Sequence, residues 1–472
     1  MHIKEGRGLD QRWPVLVEEL LRRGYVLTPG ALDLLKDRKL SVDELIASIP
    51  KDEENKVFIT EDEIHHLLLR ERQKKKPRQK KKRKKGIDMR IRLNPGDLIT
   101  SCEGTVENFH NLFLDRLEKL RRILLKRNGL TDSRRISDVK KEGNFSTIGI
   151  VRDKRETSKG YVIEIEDETG SLTFFAPKGR DSSRVVLDEV IGVSGTIRGR
   201  RAYAERIYFP EIPRTNSKPK EKDLRIAFIS DIHAGSKQFK EILFMDFVNW
   251  ISEGSIDVLI MTGDLVDGIG VYPNQEDELR IKGIREQYEK IKELLSSVDC
   301  EIIAIPGNHD ATRPMEPQPA FQEEIVEPLS DLGAVILGNP SWVEIHGVKI
   351  LLYHGRGLDD LITVIPEATH EDPTQAVLEV LRKRHLAPIY GGKTPIAPES
   401  KDLLVIDEVP HVLHMGHVHV NSYVEYRGVK AFTSGTWQEQ TSFQRAMGIK
   451  PVLGEVPILD LSDFRIRRIK IA

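Results

Sequence analysis

The stretch HVLHMGHVHV, residues 411–420, holds four histidines, and the last two, His417 and His419, are separated by a single residue. Alternate side chains of a strand point to the same face, so these two imidazoles would lie side by side. Such a pair can bind a metal ion, contact a substrate or satisfy its own hydrogen bonds. The remainder of the chain has to distinguish these three roles.

Four further fragments combine Asp, His or Asn with an adjacent glycine or with each other, and the first three follow apolar runs typical of strands. They are Asp231-Ile232-His233, Gly263-Asp264-Leu265-Val266-Asp267, Gly307-Asn308-His309-Asp310 and His354-Gly355. Carboxylate, amide and imidazole donors together suit a pair of divalent ions. The chain has only two cysteines, so a metal would be held by His, Asp, Asn or Glu and not by thiolates.

Each fragment is weak by itself, because an isolated histidine is more often structural and Asp-Gly or Gly-Asn pairs usually mark turns. Taken in this order, they resemble the signature of the calcineurin-like metallophosphoesterases. The resemblance implies two divalent ions, with manganese expected and iron, zinc or magnesium as alternatives. One ion would be held by Asp231, His233 and His419, the other by Asn308, His354 and His417, with Asp264 bridging both.

The same resemblance implies roles for the neighbouring residues. His309 would stand near the scissile phosphate as a general acid or charge stabiliser, and Asp310 would orient its ring. Asp267 is expected to support a ligand and not to bind metal itself. His411 and His414 are expected to pack or to support ligands.

The elements that must position these residues begin near Leu224. Short apolar runs there alternate with helical stretches, which predicts a layered α/β domain over residues 224–472 with its site at the carboxyl ends of the strands. The resemblance implies a β-sandwich with flanking helices. The segment 365–400 could shape the substrate entrance or be a simple inserted helix and loop, and its His370 and His385 are expected at the surface.

Residues 106–213 predict a long helix followed by a small β-rich domain. Apolar spacing over 106–128 is helical, and alternation over 144–210 suggests a five-stranded Greek-key barrel that resembles an OB-fold. This barrel could contact DNA or a protein partner, and either reading stays open. Its candidate nucleic-acid contacts are Arg152, Lys154, Arg155, Arg198, Arg200 and Arg201.

Residues 1–50 predict a small helical module with three helices, at 14–25, at 28–37 beginning at Thr28-Pro29, and at 41–49. Residues 51–105 are expected to be a charged linker. Residues 74–85 of it carry ten basic residues in twelve, including Lys74, Lys80 and Lys84. This run could bind nucleic-acid phosphate or be a solvated linker without a partner.

The composition fits a globular protein of about three domains, since it is 39% hydrophobic and 31% charged over 472 residues. No apolar run approaches the roughly 18 residues of a membrane span, and the N-terminus lacks the apolar region of a secretory signal. We therefore expect a cytoplasmic protein without membrane contact.

An OB-like barrel followed directly by a phosphoesterase domain resembles the small, B-type subunits of replicative DNA polymerases. With the helical module included, the chain looks most like the small-subunit family of archaeal DNA polymerase D, through DIHAGS, GDLVDG, PGNHD, YHGR and GHVHV. The resemblance implies a heterodimer with a large catalytic polymerase subunit, and a manganese-dependent 3′→5′ exonuclease that acts on single-stranded or mismatched 3′ ends of DNA. A sliding clamp is a further candidate partner.

Two other functions remain open from the sequence. One is a non-catalytic scaffold subunit of the polymerase, and the other is a stand-alone repair nuclease or phosphatase of the same superfamily. No polymerase active site is apparent in the chain, so synthesis would require the partner.

Overall fold

The computed structural model describes residues 12–35, 45, 58–60, 64, 87–92, 102–140, 142–214, 220–446 and 448–471. The chain divides into two compact units, Met1–Gln79 and Lys80–Ala472. No helix in the described part is long and apolar enough to cross a membrane.

The first unit contains two of the predicted helices, Arg12–Arg22 and Pro29–Leu35. Thr28 caps the second, because its Oγ1 accepts a hydrogen bond from Ala31 N at 3.3 Å, as expected for a threonine at the N-cap. The core of this unit includes the fully or nearly fully buried Leu20, Ala31, Leu35, Leu45, Ile59 and Ile64. The helix predicted over 41–49 lies outside the described residues except for Leu45.

The prediction that residues 51–105 form only a linker is wrong for two short segments. Phe58–Ile59 pairs in parallel with Val26–Leu27, so the N-terminal unit extends beyond residue 50. Met89–Arg92 pairs antiparallel with Ser341–Ile345 and forms the edge of a sheet in the second unit. Both segments are too short to show a periodic pattern, and only their long-range partners make them strands.

The second unit begins, after that edge strand, with the predicted helix and barrel. The helix Val106–Leu124 opens with a capping box in which Thr105 Oγ1 accepts from Asn108 N and Asn108 Oδ1 accepts from Thr105 N. Five strands close into a barrel in the order Gly143–Thr157, Gly160–Asp167, Gly170–Pro177, Arg201–Tyr208, Val190–Arg198. The short helices Ile136–Asp138 and Arg180–Ser183 flank it. Leu117, Leu120 and Leu124 of the long helix pack on the barrel residues Ile148, Ile150 and Val190.

Two six-stranded mixed sheets form the remainder of this unit. The first has the strand order Val335–Ile336, Glu301–Ile305, Val258–Thr262, Arg225–Ile229, Glu455–Asp460, Arg465–Lys470, and its first four strands are parallel. The second has the order Ser422–Tyr426, Val429–Thr433, Val412–Met415, Val348–Tyr353, Ser341–Ile345, Met89–Arg92.

The two sheets face each other, because residues of both, such as Phe228, Ile260, Ile350 and Phe432, share one buried cluster. The outer face of the first sheet is covered by the helices Glu241–Trp250, Ile284–Leu295 and Glu323–Asp331. The outer face of the second is covered by Leu358–Val364 and Thr374–Lys383. This unit also contains the short helical segments Ile251–Ser255, Gln275–Glu278 and Ser442–Ala446. The expected layered sandwich with flanking helices is therefore present.

The segment 365–400 joins the sandwich to the barrel. Lys383 Nζ of its helix lies 2.9 Å from Glu189 Oε2 of the barrel, and Arg184 Nη1 lies 3.0 Å from Glu379 Oε1. All four side chains are almost completely buried, so the two domains meet through a buried ionic network. The expectation that His385 lies at the surface is wrong: this residue is 1% exposed and its Nε2 lies 3.0 Å from Asp402 Oδ2.

Candidate metal centre

Five loops at the carboxyl ends of strands bring the predicted ligands together. Asp231 follows Arg225–Ile229, Asp264 follows Val258–Thr262 and Asn308 follows Glu301–Ile305, all in the first sheet. His354 and His417 follow Val348–Tyr353 and Val412–Met415 of the second sheet. The centre therefore lies where the ends of both sheets meet.

The backbone of these loops is unusual, because five of the seven predicted ligands have positive φ. The angles are 52° at Asp231, 52° at His233, 51° at Asp264, 68° at His417 and 58° at His419. Non-glycine residues enter this left-handed region rarely and at a cost of the order of 1–3 kcal/mol each, and such residues cluster at functional sites. The surrounding fold therefore holds these side chains in orientations that local preference disfavours.

The first group consists of Asp231, His233 and His419. His419 Nε2 lies 3.3 Å from Asp231 Oδ1 and 3.1 Å from His233 Nε2. All three residues are buried, and their donor atoms lie within 4.8 Å of one another. These are the three residues predicted to hold one ion.

The second group consists of Asp264, His354 and His417, whose donor atoms also lie within 4.8 Å of one another. His354 Nε2 lies 3.3 Å from Asp264 Oδ2 and 3.2 Å from Asn308 Oδ1, so the amide belongs to this group. Asp264 Oδ2 also lies 3.9 Å from His233 Nε2 of the first group. Asp264 thus lies between the two groups, and its role as a bridging ligand stays a prediction.

The donor set fits two divalent cations. Two carboxylates, four imidazoles and one amide converge without a thiolate, which suits borderline-to-hard divalent ions. Glycines leave space for this convergence, since a Cβ atom on Gly307 would lie 2.2 Å from Asp264 Oδ1 and one on Gly263 would lie 2.3 Å from His354 Nδ1. The assignment of individual ligands remains a prediction.

A surrounding layer of side chains fixes the imidazole rings. Asp267 Oδ1 lies 3.1 Å from His233 Nδ1, and its supporting role stays a prediction. Gln275 and Gln438 donate their side-chain amides to the Asp267 carboxylate at 3.1 and 2.8 Å. His354 Nδ1 lies 3.1 Å from the carbonyl oxygen of Thr262. In this way one nitrogen of each ring is held while the other faces the centre.

Four members of this layer were missed by the sequence reading, and Gln275 is one of them. Asp359 Oδ2 lies 3.0 Å from His417 Nε2, and Gln444 Nε2 lies 2.8 Å from His419 Nδ1. Gln438, from the same C-terminal region, completes the set. Asp359 stands in the stretch HGRGLDD only five residues after His354, but nothing in its spacing marks it as a partner of His417.

His309 and Asp310 are both at the centre, but Asp310 does not have the role predicted for it. His309 Nδ1 lies 2.7 Å from the backbone oxygen of Asp267, which orients the ring in place of Asp310. The Asp310 carboxylate instead accepts from Gly307 N, Leu265 N and the Tyr288 hydroxyl. Asp310 therefore braces the loops that carry Asn308 and Asp264.

Opposing electrostatic effects act on the buried groups. Burial alone would raise the pKa of Asp264, but His354 and His309 hold it well below its usual value. Burial would lower the pKa of His354, but the Asp264 carboxylate raises it to about 10. Burial, with the nearby Asp264 charge, raises the pKa of Asp310 to about 7. Strongly perturbed groups converging at strand ends are typical of functional sites.

The candidate nucleic-acid contacts do not join this centre. Arg152, Arg198 and Arg200 lie exposed on the barrel, and Arg152 is within 3.5 Å of Glu164. Lys154 is not a surface contact, because its Nζ donates to the carbonyls of Ser183 and Val185. Lys74, Lys80 and Lys84 lie outside the described residues.

His414 and His411 lie outside the ligand groups, as expected. His414 is fully buried, with Nδ1 at 2.7 Å from Thr262 Oγ1 and Nε2 at 3.1 Å from Ser434 Oγ. His411 Nδ1 accepts from Lys349 N at 2.9 Å. Both histidines are satisfied by protein partners, so of the four in this stretch only His417 and His419 belong to the centre.

Comparison with known proteins agrees with this geometry. Residues 224–421 match the calcineurin-like phosphoesterase family, whose members use divalent metals. The DNA polymerase II small subunit of Archaeoglobus fulgidus is 40% identical over 94% of this chain and 95% of its own length. That of Methanothermobacter thermautotrophicus is 43% identical over 76% of this chain and 78% of its own.

Among solved structures, a novel archaeal phosphodiesterase is 17% identical and covers 52% of this chain and 99% of its own, with a TM-score of 0.28 that is too low to support an argument. The two polymerase subunits, by contrast, match along most of their length, including the regions outside the phosphoesterase domain. The chain therefore belongs to the family of archaeal DNA polymerase II small subunits, with a calcineurin-like phosphoesterase domain in its C-terminal half.

Proposed function

We propose that this chain is the proofreading subunit of a heterodimeric replicative DNA polymerase, a metal-dependent exonuclease that removes nucleotides from single-stranded or mismatched 3′ ends. The observation that carries the proposal is the complete donor set, two groups of ligands with Asp264 between them. A subunit that served only as a scaffold would have no need of seven converging donors, five of them at left-handed backbone positions.

Two divalent ions, manganese first among the candidates, would bind at these groups, activate a water molecule and neutralise the phosphodiester. Asp231, His233 and His419 would hold one ion and Asn308, His354 and His417 the other. The role of the chain itself is to keep these donors in place through Asp267, Asp359 and the carbonyl of Thr262.

His309 is the proposed acid or charge stabiliser. Its Nδ1 lies 2.7 Å from the Asp267 carbonyl oxygen, which favours a proton on Nδ1 and leaves Nε2 to exchange a proton with the substrate. Burial lowers the pKa of His309, although the Asp264 carboxylate opposes this. The negative charge of an arriving phosphodiester would favour the protonated ring, which can then stabilise the leaving oxygen.

The partner of this subunit is proposed to be a large catalytic polymerase chain, as the names of the relatives imply. The closed five-stranded barrel is proposed to be an OB-fold that contacts DNA or this partner. The buried ionic network between barrel and sandwich would make the two domains move together.

The test is degradation of 3′-labelled and 5′-labelled single-stranded DNA in Mn²⁺ by the full chain, alone and with the large subunit. We expect stepwise shortening from the 3′ end, no activity in Asp264→Asn, and a loss of about a hundredfold or more in His309→Ala. Asp132→Asn and His110→Ala, both at exposed positions, are matched controls and should retain wild-type rates.

The other outcomes separate the alternatives. Activity that survives Asp264→Asn would contradict this site. An inactive wild type, with the large subunit present, would favour the scaffold function. A preference for phosphoproteins over DNA would favour a stand-alone phosphatase.

A further inference from the structure

A cleft of about 460 Å³ opens directly beside the metal centre. Asn308, His309 and Asp310 form one of its walls, so whatever occupies the cleft is continuous with a group bound at the centre. Pockets for small molecules commonly have volumes of about 300–1,000 Å³. The cleft is therefore of a size for one nucleotide and not for a duplex.

The remaining walls combine apolar and polar side chains. The apolar ones are Ile269, Val271, Ile284, Ala311, Pro314 and Ile325, and the polar ones are Thr312, Gln322 and Arg356. Ile269 is 44% exposed and Val271 is 39% exposed. Exposed apolar side chains that line a concave site are a feature of ligand-binding grooves.

The loop that carries Ile269 and Val271 is held rigidly. The buried Gln287 bonds to both backbone polar groups of Gly268: Gly268 N donates to Gln287 Oε1 at 2.9 Å, and Gln287 Nε2 donates to Gly268 O at 3.2 Å. Val271 N donates to Gln275 Oε1 at 2.9 Å, and the amide of the same Gln275 donates to the Asp267 carboxylate. The apolar wall is thus tied to the residue that orients His233.

A positive charge stands at the same cleft. Arg356 lines it and is held there by a hydrogen bond from its Nη1 to the Pro314 carbonyl at 3.0 Å. An apolar wall beside an arginine and the two candidate metal-binding groups suits a ligand with an uncharged flat part attached to a phosphate.

We infer that this cleft binds the unstacked base of the 3′-terminal nucleotide while its phosphodiester lies at the metal centre. The inference rests on the nuclease function proposed above. An apolar wall discriminates weakly between bases of similar size, so all four would be accepted. Extracting a base from a duplex costs least when the base is mismatched, so preference for mismatched ends would arise from the DNA and not from recognition of a particular base.

The first experiment compares degradation of single strands with an intact and an abasic 3′-terminal nucleotide in Mn²⁺, with the full chain and the large subunit. We expect the first cleavage to be about tenfold or more slower at the abasic end, the scale that an apolar pocket provides. Equal rates for the two ends would overturn the base subsite and leave the nuclease function intact. No cleavage of either strand would overturn the nuclease function and this inference with it.

The second experiment uses Val271→Asp, which places a charge in the cleft, with Val364→Asp as the matched control at a position that is 47% exposed and outside the cleft. In Val271→Asp, kcat/KM for the strand with the intact end, divided by kcat/KM for the strand with the abasic end, should fall towards one. The change should come from a higher KM for the intact strand. The control should keep the wild-type ratio. An unchanged ratio in Val271→Asp would overturn the assignment of this wall.

A binding measurement that does not depend on catalysis completes the test. With Mn²⁺ present and Asp264→Asn introduced into each protein to stop cleavage, a duplex whose mismatched 3′-terminal base is 2-aminopurine should gain emission on binding the otherwise wild-type chain, because the base leaves the stack. Val271→Asp should reduce this gain and Val364→Asp should not. An equal gain in all three proteins would contradict the inference.

Discussion

The carboxylate of Asp359 lies 3.0 Å from Nε2 of His417, 58 residues away along the chain. A histidine that binds metal through one nitrogen commonly has its other nitrogen fixed by a carboxylate or a carbonyl. Asp359 is mostly buried, and His417 holds its pKa at about 2 against the effect of burial. Asp359 therefore belongs to the surroundings of the centre, although it stands in none of the ligand motifs.

Replacing Asp359 with Asn should weaken metal binding without removing a ligand. We expect manganese affinity and nuclease activity to fall about 10- to 100-fold, the usual effect of losing the carboxylate behind a metal-bound histidine. Calorimetric titration with Mn²⁺ measures the affinity directly, and Asp132→Asn is the control. Wild-type affinity in Asp359→Asn would show that Asp359 does not orient His417.

Replacing Gly307 with Ala should disrupt the centre. The new Cβ would lie 2.2 Å from Asp264 Oδ1 and 2.7 Å from His354 Cε1, so both side chains would have to move. Since displacement of a reacting group by about 1 Å can cost about a hundredfold in rate, we expect at least that loss. Gly179→Ala is the control, because its Cβ would meet nothing closer than 3.9 Å. Similar rates in the two variants would contradict this account of the close approach.

Replacing Arg116 with Met should destabilise the chain. Arg116 is fully buried in the long helix, and its Nε lies 2.6 Å from Asp402 Oδ2. The variant leaves Asp402 as a buried charge without this partner, at a cost of about 3–5 kcal/mol in the free energy of unfolding. Arg122→Met, on the same helix but in an exposed pair with Glu118, should cost less than about 0.5 kcal/mol. Urea unfolding followed by circular dichroism compares the two, and equal costs would refute the prediction.

The buried His385 should make stability depend on pH. Burial is the main cause that lowers its pKa to about 4, with Arg116 adding to the effect and Asp402 opposing it. Because its pKa is near 6.5 in the unfolded chain, the unfolded state binds more protons between these values. The contribution of His385 to the free energy of unfolding is therefore complete above pH 6.5. It is lost as the pH falls to about 4, and the loss is about 3 kcal/mol at most.

Urea unfolding of the wild type and of His385→Gln across this pH range tests that prediction. The variant should lose less stability than the wild type as the pH is lowered. His110→Gln, at an exposed histidine, should follow the wild type. Parallel pH profiles for His385→Gln and the wild type would mean that His385 is protonated in the folded chain.

The periodicity of apolar residues was sufficient to predict the long helix, the five-stranded barrel and a layered α/β domain. The form of the sandwich and the seven candidate ligands were implied by the family resemblance, which rests on short polar motifs placed directly after apolar strands. Asp231, Asp264 and Asn308 each follow one of the parallel strands of the first sheet, so their convergence follows from the strands themselves.

Tertiary contacts decided the edge strand and the side chains that support the ligands. The residues that contact each other there are distant in sequence, and no sequence pattern connects them. Met89–Arg92 is a strand only because Ser341–Ile345 lies beside it. Asp310 braces loops where the family resemblance implied that it orients His309, and Asp359, Gln438 and Gln444 support the ligands without any motif. His385 is buried because the segment 365–400 joins the barrel to the sandwich. The types of the ligands were determined locally, whereas their orientation required the whole fold.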